Sequence, residues 1–544
     1  MANTLNLGNG NWATKEDSLL GYNSENNNFK PLPFDFTRAS SATVVNKQGL
    51  IETVGSGEPR IDFLGNTQGA LKLEPQRTNL ITQSESFPNP YWTKSGASIQ
   101  GDPSTAGSEL VTNGDFATDS DWNKGTGWTI SGGSLNASAT IAQSFQTNTG
   151  LVSGKTYKVT YTISNYVSGS VRIELGSANV SVGLIRSANG TYTEYIEALG
   201  DETIYFDGIS AFTGSIDNVS VKEVQGFSSP DGTNNAYKLV EDTSNAKHFI
   251  ARNNLFTPDG VTRDYSIFVK EGERRYIFIT NVTTTNNDIN CVVFDTRDGV
   301  FTNTNDPTYI SNRNVTTLSN GWYRIDFTSN VNSGSYDNFY IGISSSETMS
   351  GVSYQGDGTS GLYIYGVQLE VGSYATSYIP TQGSAVTRLA DVCTNGGNEQ
   401  VINSTEGVLY FEGSALANDG TDRKITLSDG SLNNAINFGF SRFSGNINAE
   451  VKSGGVLQTS GFGATGITQD NNNKFALSWG GGVSKFYVNG TLASSYTSVT
   501  SPIGMNVLNF SLSSGFEKMY LNCKDVRVYN TALTDSELAI LTTI

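Results

Sequence analysis

The residues able to do chemistry in this sequence are few and one-sided. A single histidine, His248, removes the tunable base that Ser-His-Asp and Cys-His nucleophile systems and His-ligated zinc need. Cys291, Cys393 and Cys523 lie far apart with no CxxC pair, so they read as buried thiols and not as a zinc site or disulfide framework. Carboxylates remain. Glu194, Glu197, Asp201 and Glu202 gather around one predicted turn, and a solvated charge cluster is the reading preferred there over the acid pair of a glycoside hydrolase. Asp115, Asp119 and Asp121 have a spacing that loosely suggests a calcium loop, but the Gly and closing Glu of an EF-hand are missing. Sugar recognition asks for aromatic faces that stack on C–H surfaces, flanked by side chains that hydrogen-bond hydroxyls. Trp122, Tyr166 and Arg172 are the residues assigned that role, with Tyr161 and Tyr195 also available, whereas Trp92, Trp128, Trp322 and Trp479 read as core.

Such side chains must be carried by β-structure. Charged residues make up only 16%, Gly contributes 59 residues, and Ser, Thr and Asn are abundant, a profile of short strands joined by polar turns. The chain reads as all-β. Its 544 residues make several folding units at roughly 100–200 residues each. A formal charge of −17 disfavours nucleic-acid backbones and anionic membranes as partners. No apolar run approaches the roughly 20 residues of a membrane span, and MANTLNLGNGNW lacks the regions of a signal peptide. The expectation is synthesis in a cytoplasm, with release by lysis or on a particle if the protein acts outside.

Along the chain, FDFTRASSATVVNKQGLIETV alternates around Asn46 to Gly49 and predicts a hairpin. RIDF and ALKLE flank a second turn, so residues 1–77 read as a β-rich collar, its first 30 residues without periodicity. An internal repeat follows. Phe87 and Trp92-to-Ile99 parallel Phe116 and Trp128-to-Leu135; YKVTYTI at 157–163 parallels YSIFVK at 265–270; NGTY at 189–192 parallels NGWY at 320–323; IDNVSV at 216–221 parallels IYGVQL at 364–369. One copy opens before the other and finishes after it, so the copies are nested: an outer one of 78–108 plus 228–391 and an inserted one of 109–227. GDPSTAGSE and QGFSSPDGTNN read as the linkers at the two junctions. Trp122 has no equivalent in the outer copy's shorter Phe87–Trp92 span. The pattern restarts over 392–544 and ends in a helix opened by Thr534 with Glu537 three residues on, a capping box.

The phrases FTRASSATVV, EPRIDF, LEPQRTNLITQSESF, SSPDGTNNAYKLVED, GLYIYGVQLEVGSYATSYIPT and TRLADV resemble a sandwich module common in bacteriophage tail and fibre proteins. Residues 109–224, with ELVTNGDF and IDNVSVK, are similar to jelly-roll carbohydrate-binding modules, and 393–544, with KFYVNG and DVRVYNTALTD, to laminin-G or concanavalin-A-like sandwiches. The fold these resemblances imply is a set of antiparallel β-sandwiches, jelly rolls, behind the collar. The implied function is that of a non-enzymatic structural component of a phage particle surface: a head fibre, tail fibre or decoration protein that adheres to host or environmental glycans. A glycan-degrading depolymerase and a scaffold without ligand are the alternatives. The implied partners are other virion proteins, met through residues 1–77, sister chains in a homo-oligomer with a trimer favoured, and glycans, with no nucleic acid and no membrane insertion. The implied location is the virion surface, after synthesis in the host cytoplasm. Jelly-roll carbohydrate modules often hold one calcium between first and last strands through carboxylate and carbonyl oxygens. Asp115 and Asp217 fit those two places in the inserted copy. The outer copy has Ser86 and Tyr365 there and is expected to lack the ion.

Overall fold

The computed structural model describes all residues except 1–2, 24–32, 102–105, 154, 179–180, 225, 256–260, 284–285, 305–309, 330–336, 462 and 513–514, so four of the nine residues of the entry junction GDPSTAGSE lie outside it. The described chain is antiparallel β-structure with one α-helix, Asp535–Thr542. That helix starts as its sequence requires: Thr534 Oγ1 accepts from the Glu537 N–H, and Glu537 Oε2 accepts from the Thr534 N–H at 2.7 Å.

Nearest the C-terminus, one sheet runs Thr491–Thr497, Val483–Val488, Asn473–Gly480, Gly407–Ala415, Leu521–Tyr529. It faces a second sheet built on Ile447–Ser453, Ala435–Phe440 and Arg423–Ser428. Their inward residues, Phe411, Phe438, Phe475 and Phe486 among them, make one core. The first sheet does not end at Leu521–Tyr529. Leu5–Gly8 pairs with residues 525–528 of that strand and Ala70–Leu73 with 521–523. Leu5, Leu7, Phe34, Phe36, Leu71 and Leu73 sit in the same core. Strands from the stretch expected to form a separate collar are thus drawn into the C-terminal sandwich, and the opening residues, read as lacking periodicity, supply one of them. The physical reason is the open edge of Leu521–Tyr529, whose unpaired N–H and C=O groups two short apolar strands satisfy.

The outer copy is two facing six-strand rows. One runs Thr93–Ser95, Asn245–Leu255, Asp337–Ser344, Tyr276–Thr283, Asn286–Asp295, Val300–Thr304; the other runs Ala97–Gln100, Tyr237–Glu241, Gly361–Val371, Arg263–Lys270, Tyr323–Ser329, Ile310–Thr317. The inserted copy has its own sheet and its own core around Trp128, Tyr161, Ile173 and Phe206. In both copies the second, third and fourth matched phrases occupy the same frame. Thr156–Leu175 pairs with Gly190–Glu197 and Ile204–Val224, as Arg263–Lys270 pairs with Tyr323–Ser329 and Gly361–Val371. The first phrase diverges. Trp128–Ser131 and Ser134–Thr140 form a hairpin, whereas Thr93–Ser95 and Ala97–Gln100 join opposite sheets of the outer copy.

Between the outer copy and the N-terminal residues lies a buried ionic knot. Asp391 accepts from Arg38 at 3.1 Å and from Arg60; Glu74 accepts from Arg60 at 2.6 Å, from Arg388 and from Ser377 Oγ at 2.6 Å. The guanidiniums of Arg60 and Arg388 hold the Glu74 carboxyl well below its ordinary range against a large burial penalty. FTRAS, EPR, LEP and TRLAD, phrases far apart in sequence, therefore meet at one point.

Candidate functional site

In Gly361–Val371 the alternation places Leu362 and Ile364 in the sandwich core and Tyr363 and Tyr365 on the opposite face. Gly366, at φ +54°, bulges the strand so that Val367 and Leu369 return to the core and Tyr365 stays outside. A Cβ at 366 would lie 2.9 Å from both Phe268 Cδ2 and Tyr378 Cζ, so only glycine fits. Phe268, Tyr365 and Tyr378 pack together with ring centroids 5.4–5.8 Å apart. The hairpin Ala42–Val45 and Ile51–Val54 then lies over this face, tied down by Thr43 Oγ1 donating to the Tyr378 carbonyl (2.6 Å) and Ile51 N–H donating to the Pro230 carbonyl (3.0 Å).

The space left beneath the hairpin is a cavity of about 510 Å³ lined by Glu85, Asp231, Asn235, Tyr365, Tyr378 and Gln382, with Thr43, Ile51 and Thr53 contributed by the hairpin. Glu85 Oε1 accepts from the hydroxyls of Tyr365 (2.9 Å) and Tyr378 (3.0 Å). Asp231 Oδ2 stands 3.3 Å from the same Tyr365 hydroxyl and accepts from Asn235 Nδ2 at 3.2 Å. Its Oδ1 is held by Ser229 Oγ (2.5 Å), the Thr233 N–H (2.9 Å) and Thr233 Oγ1 (2.8 Å). Burial pushes the Glu85 carboxyl up; its two tyrosine donors pull it down, and the Asp231 charge pushes it up again. Burial likewise pushes both phenols far up, so each remains a hydrogen-bond donor at any ordinary pH.

The inserted copy has the same corner. Val367 N–H donates to the Ser84 carbonyl at 3.0 Å, and Val219 N–H donates to the Gly114 carbonyl at 2.9 Å. Asn218, at φ +53°, stands for Gly366, and Asp217 for Tyr365. This pairing sets Glu85, and not Ser86, in the place of Asp115, a one-residue correction to the alignment read from sequence. Asp115 is exposed, its Oδ1 accepting from the Ala117 N–H at 3.3 Å; Asp217 is half-buried, its Oδ1 accepting from the Asn218 N–H at 2.6 Å. No group of three His, Cys, Asp or Glu with metal-site geometry occurs among the described residues, so the donors offered here are two carboxylates on hydrogen-bonded neighbouring segments.

The residues assigned to sugar stacking do not converge. Trp122 is 5% exposed, packed on Phe116 and Phe206 (centroids 5.4 and 6.0 Å), with Nε1 donating to the Asn113 carbonyl; its face is covered and it is a core residue of the inserted copy. Arg172 pairs with Glu174 (2.7 Å) and with Asp207 (3.4 Å). Phe206 and Asp207 point to opposite faces of one strand, so Trp122 and Arg172 lie on opposite sides of the sheet. Tyr166 is half-buried on Phe212, its hydroxyl donating to the Gly169 carbonyl. Of the acid cluster, Glu194 is buried and accepts from Tyr161, Arg186 and the Leu184 N–H. The outer-copy cavity escaped sequence reasoning because SSPDGT, which supplies Asp231, reads as a junction linker. The only signal was an acid, Glu85, beside the aromatic that opens the repeat.

No known protein family matches the sequence, and no curated protein is a significant relative. Solved structures give partial overlays. The CBM40 of the Ruminococcus gnavus IT-sialidase matches at 15% identity and a TM-score of 0.23, over 27% of this chain and 92% of its own. The same module bound to alpha2,3 sialyllactose matches at 17% and 0.22, over 27% and 86%. The N-terminal CBM22-1-CBM22-2 tandem domain of Paenibacillus barcinonensis Xyn10C matches at 12% and 0.18, over 49% of this chain and 98% of its own.

Proposed function

We propose that this chain is a non-enzymatic surface component of a phage particle that adheres to glycans, and that the cavity between the hairpin 42–54 and the outer sandwich is its sugar site. The observation that carries the binding reading is that cavity: tyrosine walls, two carboxylates, an amide pair and backbone-anchored polar groups converge on a space large enough for a saccharide unit. The phage assignment rests on the phrase resemblance of residues 34–392, and it brings with it display at the virion surface as a homo-oligomer. Avidity from several copies would compensate for a modest single-site affinity. In the same reading the inserted copy holds one calcium through Asp115 and Asp217, with carbonyl oxygens and water completing the shell.

One observation favours hydrolysis as a second reading: Glu85 and Asp231 flank a single hydroxyl, and Glu85 is pushed up, a pattern shared with glycosidase acid pairs. Against it, the Tyr365 hydroxyl occupies the position between the carboxyls that a scissile bond would need.

The test is a glycan array probed with the full chain, followed by a reducing-end assay on every ligand found. Binding without product, lost in Tyr365→Phe and Tyr378→Phe at unchanged melting temperature, is the expected result. An array with no ligand removes the adhesion reading, and released reducing ends would replace binding with hydrolysis. Mass spectrometry of purified particles tests the virion assignment, and a chelator that leaves melting unchanged removes the calcium.

A further inference from the structure

The charge balance of the cavity, taken with the glycan reading on which this inference rests, narrows the ligand. Two carboxylates face the space, and none of the described residues lining it is Lys, Arg or His. Arg324, whose field reaches Tyr378, directs Nη1 to the Thr376 carbonyl (2.7 Å) and Nη2 to Ser266 Oγ (2.9 Å) instead. Donors are also short. The single phenol proton of Tyr365 serves either Glu85 or Asp231 and not both. A neutral sugar hydroxyl answers the second shortage and leaves the first. An ammonium group answers both, since it brings three N–H donors and a positive charge to a site walled by aromatic rings. An anionic sugar adds a third negative charge to the pair, on a chain already at −17.

We infer that the cavity selects an amino sugar: a saccharide unit carrying a free, protonated amine, in preference to its N-acetylated or unsubstituted counterpart.

Titration calorimetry with the full chain compares a β-1,4-linked glucosamine tetramer, the same tetramer N-acetylated, and the glucose tetramer, each without and with EDTA. The free-amine tetramer should bind about ten- to a hundredfold more tightly than the other two, the range expected of a charge-assisted hydrogen bond. Added salt should erode that advantage. Glu85→Gln, which keeps shape and removes charge, should bring the three ligands together, and Asp231→Asn provides the same readout if the first variant melts early. Equal affinity for all three tetramers overturns the amine preference while leaving glycan binding intact. Binding that EDTA abolishes means that a divalent cation fills the carboxylate pair, which also overturns it. If no tetramer binds, the amine preference falls, and the glycan array alone decides the glycan reading; a lysine tripeptide binding alone in that experiment assigns the cavity to a protein side chain.

Discussion

The outer and inserted copies share a bulged last strand and an acid facing it, and in the outer copy that corner is roofed into a cavity. At Gly366 the bulge brings Tyr365 under a hairpin that hydrogen-bonds to Tyr378 and Pro230. At Asn218 the same bulge leaves Asp217 half-buried and Asp115 exposed. The difference is the cover. In this chain a site is made less by the sandwich than by what the rest of the chain lays across it, and the buried knot of Arg38, Arg60, Glu74, Arg388 and Asp391 fastens that cover.

Breaking the knot should separate the copies most sharply. Asp391→Asn leaves buried guanidiniums short of charge and should cost about 3–5 kcal/mol. Scanning calorimetry should then show the transition of the outer copy and C-terminal sandwich moving down while that of residues 109–227 stays. A uniform shift of both would mean that the copies share a core. Trp122→Ala is the reciprocal experiment: it empties core volume in the inserted copy and should lower only that transition, by a similar 3–5 kcal/mol. An unmoved transition with lost glycan binding would restore Trp122 as a surface residue.

Bulge variants come next. Gly366→Ala adds a methyl against Phe268 and Tyr378 at a left-handed φ and should cost about 2–4 kcal/mol and close the cavity. Asn218→Gly, at the equivalent residue, should stay within roughly 0.5 kcal/mol. Equal effects at the two positions would deny their equivalence.

The smallest effect is one of pH and concerns the outer copy alone. Asp264, Asp326 and Glu370 lie close together on neighbouring strands beside Arg324. Burial pushes Asp326 up to about 6, and burial with the charges of Asp326 and Glu370 pushes Asp264 up too. The folded state holds these protons more tightly than the unfolded chain, so the contribution is present at pH below about 4 and is lost as pH rises through about 6. Asp326→Asn should remove a pH dependence of roughly 2–3 kcal/mol over that window, measured as the difference in melting between variant and wild type.

Much of this architecture could be read one phrase at a time. Alternation marked the strands, Asn46 and Gly49 the hairpin, and Thr534 with Glu537 the helix start, because each is decided within a few residues. Three matched phrases of the repeat held their places for the same reason. What could not be read was anything settled by partners distant in sequence. MANTLNLGNGNW carries no periodicity worth a strand, and Leu5–Gly8 becomes one only against residues 525–528. Trp122 looked available because Phe116, six positions back, covers only part of it; Phe206, 84 positions on, completes the cover.

The sequence by itself determined the all-β class, the two similar copies and the poverty of nucleophiles and bases, since these depend on composition and local order. Tertiary structure alone decided where the site lies. Glu85, Asp231, Tyr365 and Tyr378 come from four segments, and each reads as an ordinary turn or strand residue. They become a cavity only because backbone pairing and a buried ionic knot carry a hairpin from the far N-terminus across them, and hydrogen bonds and ion pairs between such distant segments leave no local mark on the chain.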